Sequence, residues 1–155
     1  MRVYIDTSVI GGCLDEEFKE WSLRLFSEFA SGRKIAVISD LTRSELEPAP
    51  DVIKAILGEI PPSGREEIFL GQEARVLANA YLRDGAAGPD SLVDALHIAL
   101  ATIARVDVLT SWNFKHIVNW KRIRLYNAVN LKEGYTMIEI RSPREVLDEE
   151  DILLR

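Results

Sequence analysis

Cysteine is almost absent from this chain: Cys13 is the only one in 155 residues. No intrachain disulfide is possible, and the composition suits a reducing compartment. Cys13 itself reads as a small buried apolar side chain. Histidine is nearly as scarce, with only His97 and His116. Neither belongs to a paired-histidine motif, so a zinc site of the usual cysteine and histidine type is excluded. No stretch approaches the roughly 18 uninterrupted apolar residues of a membrane span, and the N-terminal apolar run stops at Asp6. The expectation is a soluble, cytoplasmic protein. A glycine fingerprint after the first apolar run and a glycine-rich loop ending in Gly-Lys-Ser/Thr are both missing, which excludes a dinucleotide-binding domain and a phosphate-loop NTPase. Nineteen Lys and Arg against twenty-five Asp and Glu leave a net charge of −6, which argues against non-specific coating of nucleic acid.

What is present fits one compact domain over residues 1–155, long enough to bury a core at 47% hydrophobic residues. Val3, Tyr4 and Ile5 form a short apolar strand covered on both faces, and Thr7 or Ser8 can cap a helix behind it. Helical spacing follows over 16–30, then a second strand over 35–38 and a helix capped by Ser39 or Asp40 that runs to about Leu46. A short helix over 51–57 precedes a third strand over 67–70, and an amphipathic helix over 72–83 ends at Asp84-Gly85. The loop 85–88 reads as flexible. The most apolar helix, 90–104, leads to a strand over 106–110, and 112–131 mixes aromatics, bases and short helical pieces. A last strand spans 136–140, and Ser142-Pro143-Arg144-Glu145 is a capping box. Alternating strands and helices predict an α/β sandwich with a mostly parallel sheet of about five strands. After Ile138, the acids Glu139, Glu145, Asp148, Glu149, Glu150 and Asp151 read as a solvated face and C-terminal end.

Carboxylates stand where such a sheet places chemistry. Asp6 ends the first strand, at the edge where open parallel sheets form their ligand crevice. Taken alone it serves equally well as a turn and helix cap. Asp94 lies in a helix that is apolar from Leu92 to Ala104 except at Asp94, His97 and Thr102. A bare carboxylate there needs a cation, a donor network or a wet crevice. Asp90 lies four residues before it and His97 three after, on the same predicted face. Glu45 follows the second strand, and Thr110-Ser111-Trp112-Asn113 ends the fourth in hydroxyls and an amide. If these strand ends share one crevice, Asp6, Glu45 and Asp94 with Asn113 beside them make a hard oxygen site suited to Mg²⁺ or Mn²⁺.

Four short stretches stand in order along the chain: Ile5-Asp6-Thr7-Ser8, Arg43-Ser44-Glu45-Leu46, Asp94-Ala95-Leu96-His97-Ile98-Ala99 and Thr110-Ser111-Trp112-Asn113-Phe114. As an ordered set they resemble the PIN-domain ribonucleases and, within them, the VapC-like toxins of toxin-antitoxin systems. The resemblance implies a three-layer α/β/α sandwich and metal-dependent hydrolysis of RNA phosphodiesters. It also implies frequent homodimers and a small antitoxin that blocks the site. Carried over by position, Asp6, Glu45 and Asp94 would bind Mg²⁺ or Mn²⁺, with Thr7 or Ser8 in support. The family usually has a fourth acid near Asn113; the amide here removes a charge, and with it support for a second metal.

Acids repel phosphate, so RNA needs cations at the rim. No acidic residue occurs between Val108 and Lys132, a stretch made basic by Lys115, Lys121, Arg122, Arg124 and Lys132, and Lys115, Lys121, Arg122 and Arg124 are the expected rim cations. Trp112 and Trp120 are placed to stack on unpaired bases. His97 reads as a packed, hydrogen-bonded helix residue ahead of a general base, and His116 as a surface or supporting group. The main rival is a PIN-like module that has lost catalysis and binds RNA or protein, a reading motivated by Asn113. An aspartyl-phosphate phosphatase would carry a second acid two residues after the first, where Ser8 stands. Two apolar stripes, Trp21-Leu25-Phe26-Phe29 and Ala74-Leu77-Ala78-Tyr81, look too extensive for one domain to bury and are expected to serve a homodimer or antitoxin.

Overall fold

The computed structural model describes residues 1–148. Its elements in chain order are β1 (Arg2–Ile5), α1 (Thr7–Gly11), α2 (Lys19–Ala30), β2 (Ile35–Ser39), α3 (Asp40–Leu46), α4 (Asp51–Gly58), β3 (Arg65–Ile68), α5 (Gln72–Arg83), α6 (Leu92–Ile103), β4 (Val108–Thr110), α7 (Trp120–Lys132), β5 (Ile140–Arg141) and α8 (Pro143–Val146). The five strands are all parallel in the order β3-β2-β1-β4-β5. The expected α/β sandwich is therefore observed, with β1 at its centre.

Side chains alternate across a strand, so each strand feeds two cores. Val3, Ile5, Ala36, Ile38 and Val108 pack with α1, α2 and α4, while Tyr4, Val37, Leu109 and Ile140 pack with α5, α6 and α7. This gives three layers. Both apolar stripes disappear into these cores: Leu25, Phe26, Phe29, Ala74, Leu77, Ala78 and Tyr81 are all buried, Phe26 most exposed among them at 8%. The expectation that they form a partner surface is corrected, because each covers one face of the sheet. Trp21 is half-buried, with the Arg144 guanidinium 4.5 Å from its ring centre. Cys13 is buried as expected, and burial pushes its thiol up to about 12.

Several boundaries move for local reasons. The helix expected from residue 16 starts at Lys19, because the Asp15 carboxylate accepts from the Glu17 N–H and makes a turn of 15–18. The third strand sits two residues earlier than expected and is polar. As an edge strand it presents Glu66 to Arg2 and Glu67 to Arg43, which an apolar pattern does not reveal. β4 begins two residues late, because Arg105 turns the chain in a left-handed conformation (φ 54°) and the Val106 N–H returns to Ala101. The last strand shrinks to two residues, because Asn127 takes both the N–H and the C=O of Ile138 out of the ladder. The loop expected to be flexible is packed, with Ala86 and Ala87 buried and the Arg122 guanidinium bonded to the Gly85 and Ala86 carbonyls. Asp90 lies in a turn before α6 and is exposed, so it does not share a helix face with Asp94. Among the tail acids, Asp148 pairs with the buried Lys34, Glu139 pairs with Arg141 and Glu145 completes the capping box. Glu149, Glu150 and Asp151 lie outside the described residues.

Candidate active site

Asp6, Glu45 and Asp94 come from three elements at one edge of the sheet. Asp6 directly follows β1, and Glu45 lies on α3 just after β2. α6 runs back into β4, so its first turn, which carries Asp94, begins at the carboxyl ends of the strands. This is the crevice side of an open parallel sheet.

Asp6 is 5% exposed and heavily braced. Ser8 donates to Oδ1 at 2.6 Å, Ser111 to Oδ2 at 2.6 Å, and the Val9 N–H to Oδ1 at 3.2 Å. The Ser8 hydroxyl in turn accepts from the Trp112 N–H, and Ser111 from the Asn113 N–H. The ends of β1 and β4 are thus tied through one carboxylate. Burial pushes the Asp6 carboxyl above its ordinary value; the His97 imidazole and these three donors oppose the rise.

Glu45 accepts at Oε1 from the Thr7 hydroxyl at 2.8 Å and meets the His97 Nε2 at 2.6 Å. Burial raises its carboxyl, but the His97 and Thr7 interactions outweigh that and hold it below the ordinary value. His97 is 3% exposed, and its Nδ1 lies 2.6 Å from the Tyr4 hydroxyl. Tyr4 also meets the Ser39 hydroxyl at 2.8 Å, and Ser39 caps α3 by accepting from the Thr42 N–H. A hydrogen-bonded chain therefore runs from the start of α3 through β1 and α6 to the Glu45 carboxylate. Burial pushes the Tyr4 hydroxyl far up, so it stays protonated in this chain.

Asp94 is half-buried. Its Oδ1 accepts from the Asn113 side-chain nitrogen at 3.4 Å. Asn113 uses its amide oxygen to accept from the Lys115 and His116 N–H groups at 3.2 and 3.0 Å, which fixes the amide orientation. Asn113 therefore faces Asp94 with a donor, and its oxygen is engaged within its own loop. Burial is the largest influence on Asp94 and raises its carboxyl; Asp6 and Glu45 raise it further, against His116 and His97. The three acids stand within electrostatic reach of one another.

Among the described residues, no three His, Cys, Asp or Glu side chains form a ready-made metal cage. The donor chemistry nevertheless fits a hard divalent cation. Mg²⁺ keeps several waters and needs only one or two direct carboxylates. Asp94, raised by burial and by two neighbouring acids, is the group such a cation would relieve.

Three side chains of the basic stretch are committed elsewhere. Trp112 is 8% exposed, stacked on Phe18 at 4.2 Å between ring centres, and donates from Nε1 to Ser22 at 2.8 Å. Its expected role in stacking on bases is corrected. Gly12 is needed for this, since a Cβ there would lie 2.6 Å from the Ser22 Oγ and 2.7 Å from the Trp112 Nε1. Arg122 fastens the 85–86 turn, and Lys132 pairs with Asp84. Lys115, Lys121 and Arg124 are exposed, and Trp120 is 72% exposed. In the sequence Tyr4 has only a place in a strand and Ser39 only a cap, and neither pattern shows that their hydroxyls lead to His97. Ser111, which braces Asp6, had a signal in the hydroxyls that end the fourth strand.

The all-parallel sheet covered by helices on both faces is an α/β/α sandwich consistent with a PIN-like fold. It is similar to a chain in the crystal structure of VapBC2 from Rickettsia felis bound to a DNA fragment from their promoter. The TM-score is 0.59 at 13% sequence identity, over 92% of this chain and 98% of that one. At that identity the likeness is one of fold. No protein-family model matches the sequence, and no curated protein matches it.

Proposed function

We propose that the protein is a divalent-metal-dependent endoribonuclease, a hydrolase of RNA phosphodiester bonds, and the toxin of a toxin-antitoxin pair. The observation that carries the reading is Asp94: a half-buried carboxylate beside two other acids, with an amide as its one hydrogen-bond donor among the described residues. Groups so arranged cost stability, and they occur where a cation or substrate completes them.

In this reading Asp6, Glu45 and Asp94 hold Mg²⁺ or Mn²⁺, which when bound supplies an activated water and neutralises charge building on the phosphate. Ser8 and Ser111 keep the Asp6 oxygens in place. Thr7 and His97 do the same for Glu45, and Asn113 orients Asp94. Lys115, Lys121 and Arg124 bind phosphate oxygens along the rim, while Arg122, expected there from the sequence, is engaged with the 85–86 turn. The likeness to a chain of VapBC2 supports a small antitoxin as partner. A homodimer belongs to the same reading and is tested by light scattering of the purified protein. RNA cleavage that needs Mg²⁺ or Mn²⁺ and stops with EDTA supports the enzyme.

A second reading, a PIN-like RNA- or protein-binding module with weak or no catalysis, is favoured by Asn113, whose amide oxygen is engaged in its own loop. Tight RNA binding without cleavage at any divalent metal concentration would select it.

A further inference from the structure

A groove of about 620 Å³ runs along α7, lined by Trp120, Lys121, Arg124, Leu125 and Ala128. Trp120 is 72% exposed, and the Arg124 guanidinium sits 5.5 Å from its ring centre. An exposed indole set in a groove beside two cations offers a planar face on which a ligand can stack. The surrounding charge indicates which occupant. Within a chain of net charge −6, no acid occurs between Val108 and Lys132, and Lys121 and Arg124 have no carboxylate partner among the described residues.

We infer that this groove binds single-stranded RNA, with a base stacked on Trp120 and phosphates held by Lys121 and Arg124. An indole accepts any base on its face, an arginine beside it adds a second planar surface, and the two cations answer the backbone charge. Duplex RNA offers neither unstacked bases nor a groove that side chains read easily, so the site selects single strands. Trp112 takes no part, because it is stacked inside the fold. The position suits the proposed nuclease. α7 follows directly on the loop of Asn113 and His116, and its Tyr126 hydroxyl donates to the His116 carbonyl at 3.1 Å. A strand seated on α7 is thereby led past the loop that borders Asp94. The inference extends the nuclease reading, but its test does not depend on cleavage.

The test is binding of a fluorescent oligouridylate of about ten nucleotides to the full chain in EDTA, followed by anisotropy across a salt series. Trp120→Ala should weaken binding about ten-fold, and Trp120→Phe should retain most of it. Lys121→Ala and Arg124→Ala should each reduce the slope of log K against log salt by about 0.7. A duplex of similar length should bind more weakly. Thermal melting confirms that the variants fold. Unchanged affinity in Trp120→Ala would overturn the inference. So would a change of mass by light scattering with RNA affinity intact, which would make α7 a protein interface. Cleavage that is independent of Trp120 contradicts this inference alone; Trp120-dependent binding without cleavage contradicts the nuclease alone.

Discussion

Glu45 and His97 are joined by a hydrogen bond of 2.6 Å between the imidazole Nε2 and the carboxylate Oε1, and the same ring reaches the Tyr4 hydroxyl through Nδ1. A carboxylate only accepts, so Nε2 carries the hydrogen. Glu45 is the only member of the three acids held below its ordinary pKa range, while Asp6 and Asp94 are raised. His97, together with the Thr7 hydroxyl, thus fixes the orientation of Glu45.

Loss of that hold is measurable. His97→Ala should lower Mn²⁺ affinity by about 10- to 100-fold, the usual effect of removing a group that orients a ligand. His97→Gln, which keeps a donor, should recover part of it. Tyr4→Phe should have a smaller effect, because it removes only the far end of the chain. Isothermal titration with Mn²⁺ measures all three variants, with a thermal melt of each to separate folding from binding.

Asp94 trades stability for its place in the site. Its carboxyl is raised in the fold, chiefly by burial. The stability it contributes is therefore greatest below the unfolded-state pKa and declines as pH rises through the folded value. At neutral pH the ionised group costs stability, and Asp94→Asn should melt a few degrees higher than the parent. Toward acidic pH, as the folded-state value is passed, the difference should shrink, because the parent becomes neutral there as well. Mn²⁺ should raise the melting temperature of the parent and not of the variant. Differential scanning calorimetry at the two pH values reads both effects.

Gly12 is predicted to be intolerant of a side chain. Its missing Cβ makes room for the Ser22 hydroxyl and the Trp112 indole, which are bonded at 2.8 Å. Gly12→Ala should cost about 1 to 3 kcal/mol from overpacking, read as a lower urea midpoint with an unchanged slope. Gly11→Ala is the control, since nothing lies within 4 Å of a Cβ there.

The parts of the fold and site legible in the sequence were those written in local patterns. β1 and β2 are short apolar runs, α5 has a helical stripe ended by a glycine, and α8 opens with its capping box. Asp6, Glu45 and Asp94 stood out because each interrupts or closes such a pattern. Features set by distant partners were not legible. The edge strand β3 is polar because Arg2 and Arg43 neutralise it. Tyr4 joins the site only once β2 and α6 bring Ser39 and His97 to its hydroxyl. Trp112 and Trp120 lie in one basic stretch, yet Phe18 and Ser22 bury the first and leave the second exposed. The two helical stripes looked surplus because a sequence does not reveal that one sheet offers each of them a separate face.

Cleavage of a labelled single-stranded RNA by the parent and by Asp94→Asn, in Mg²⁺, in Mn²⁺ and in EDTA, tests the central claim most directly. The parent should give endonucleolytic products with either metal and none in EDTA, and the folded variant should lose activity about 100-fold or more. Metal-independent cleavage, or a fully active Asp94→Asn protein, would contradict that claim.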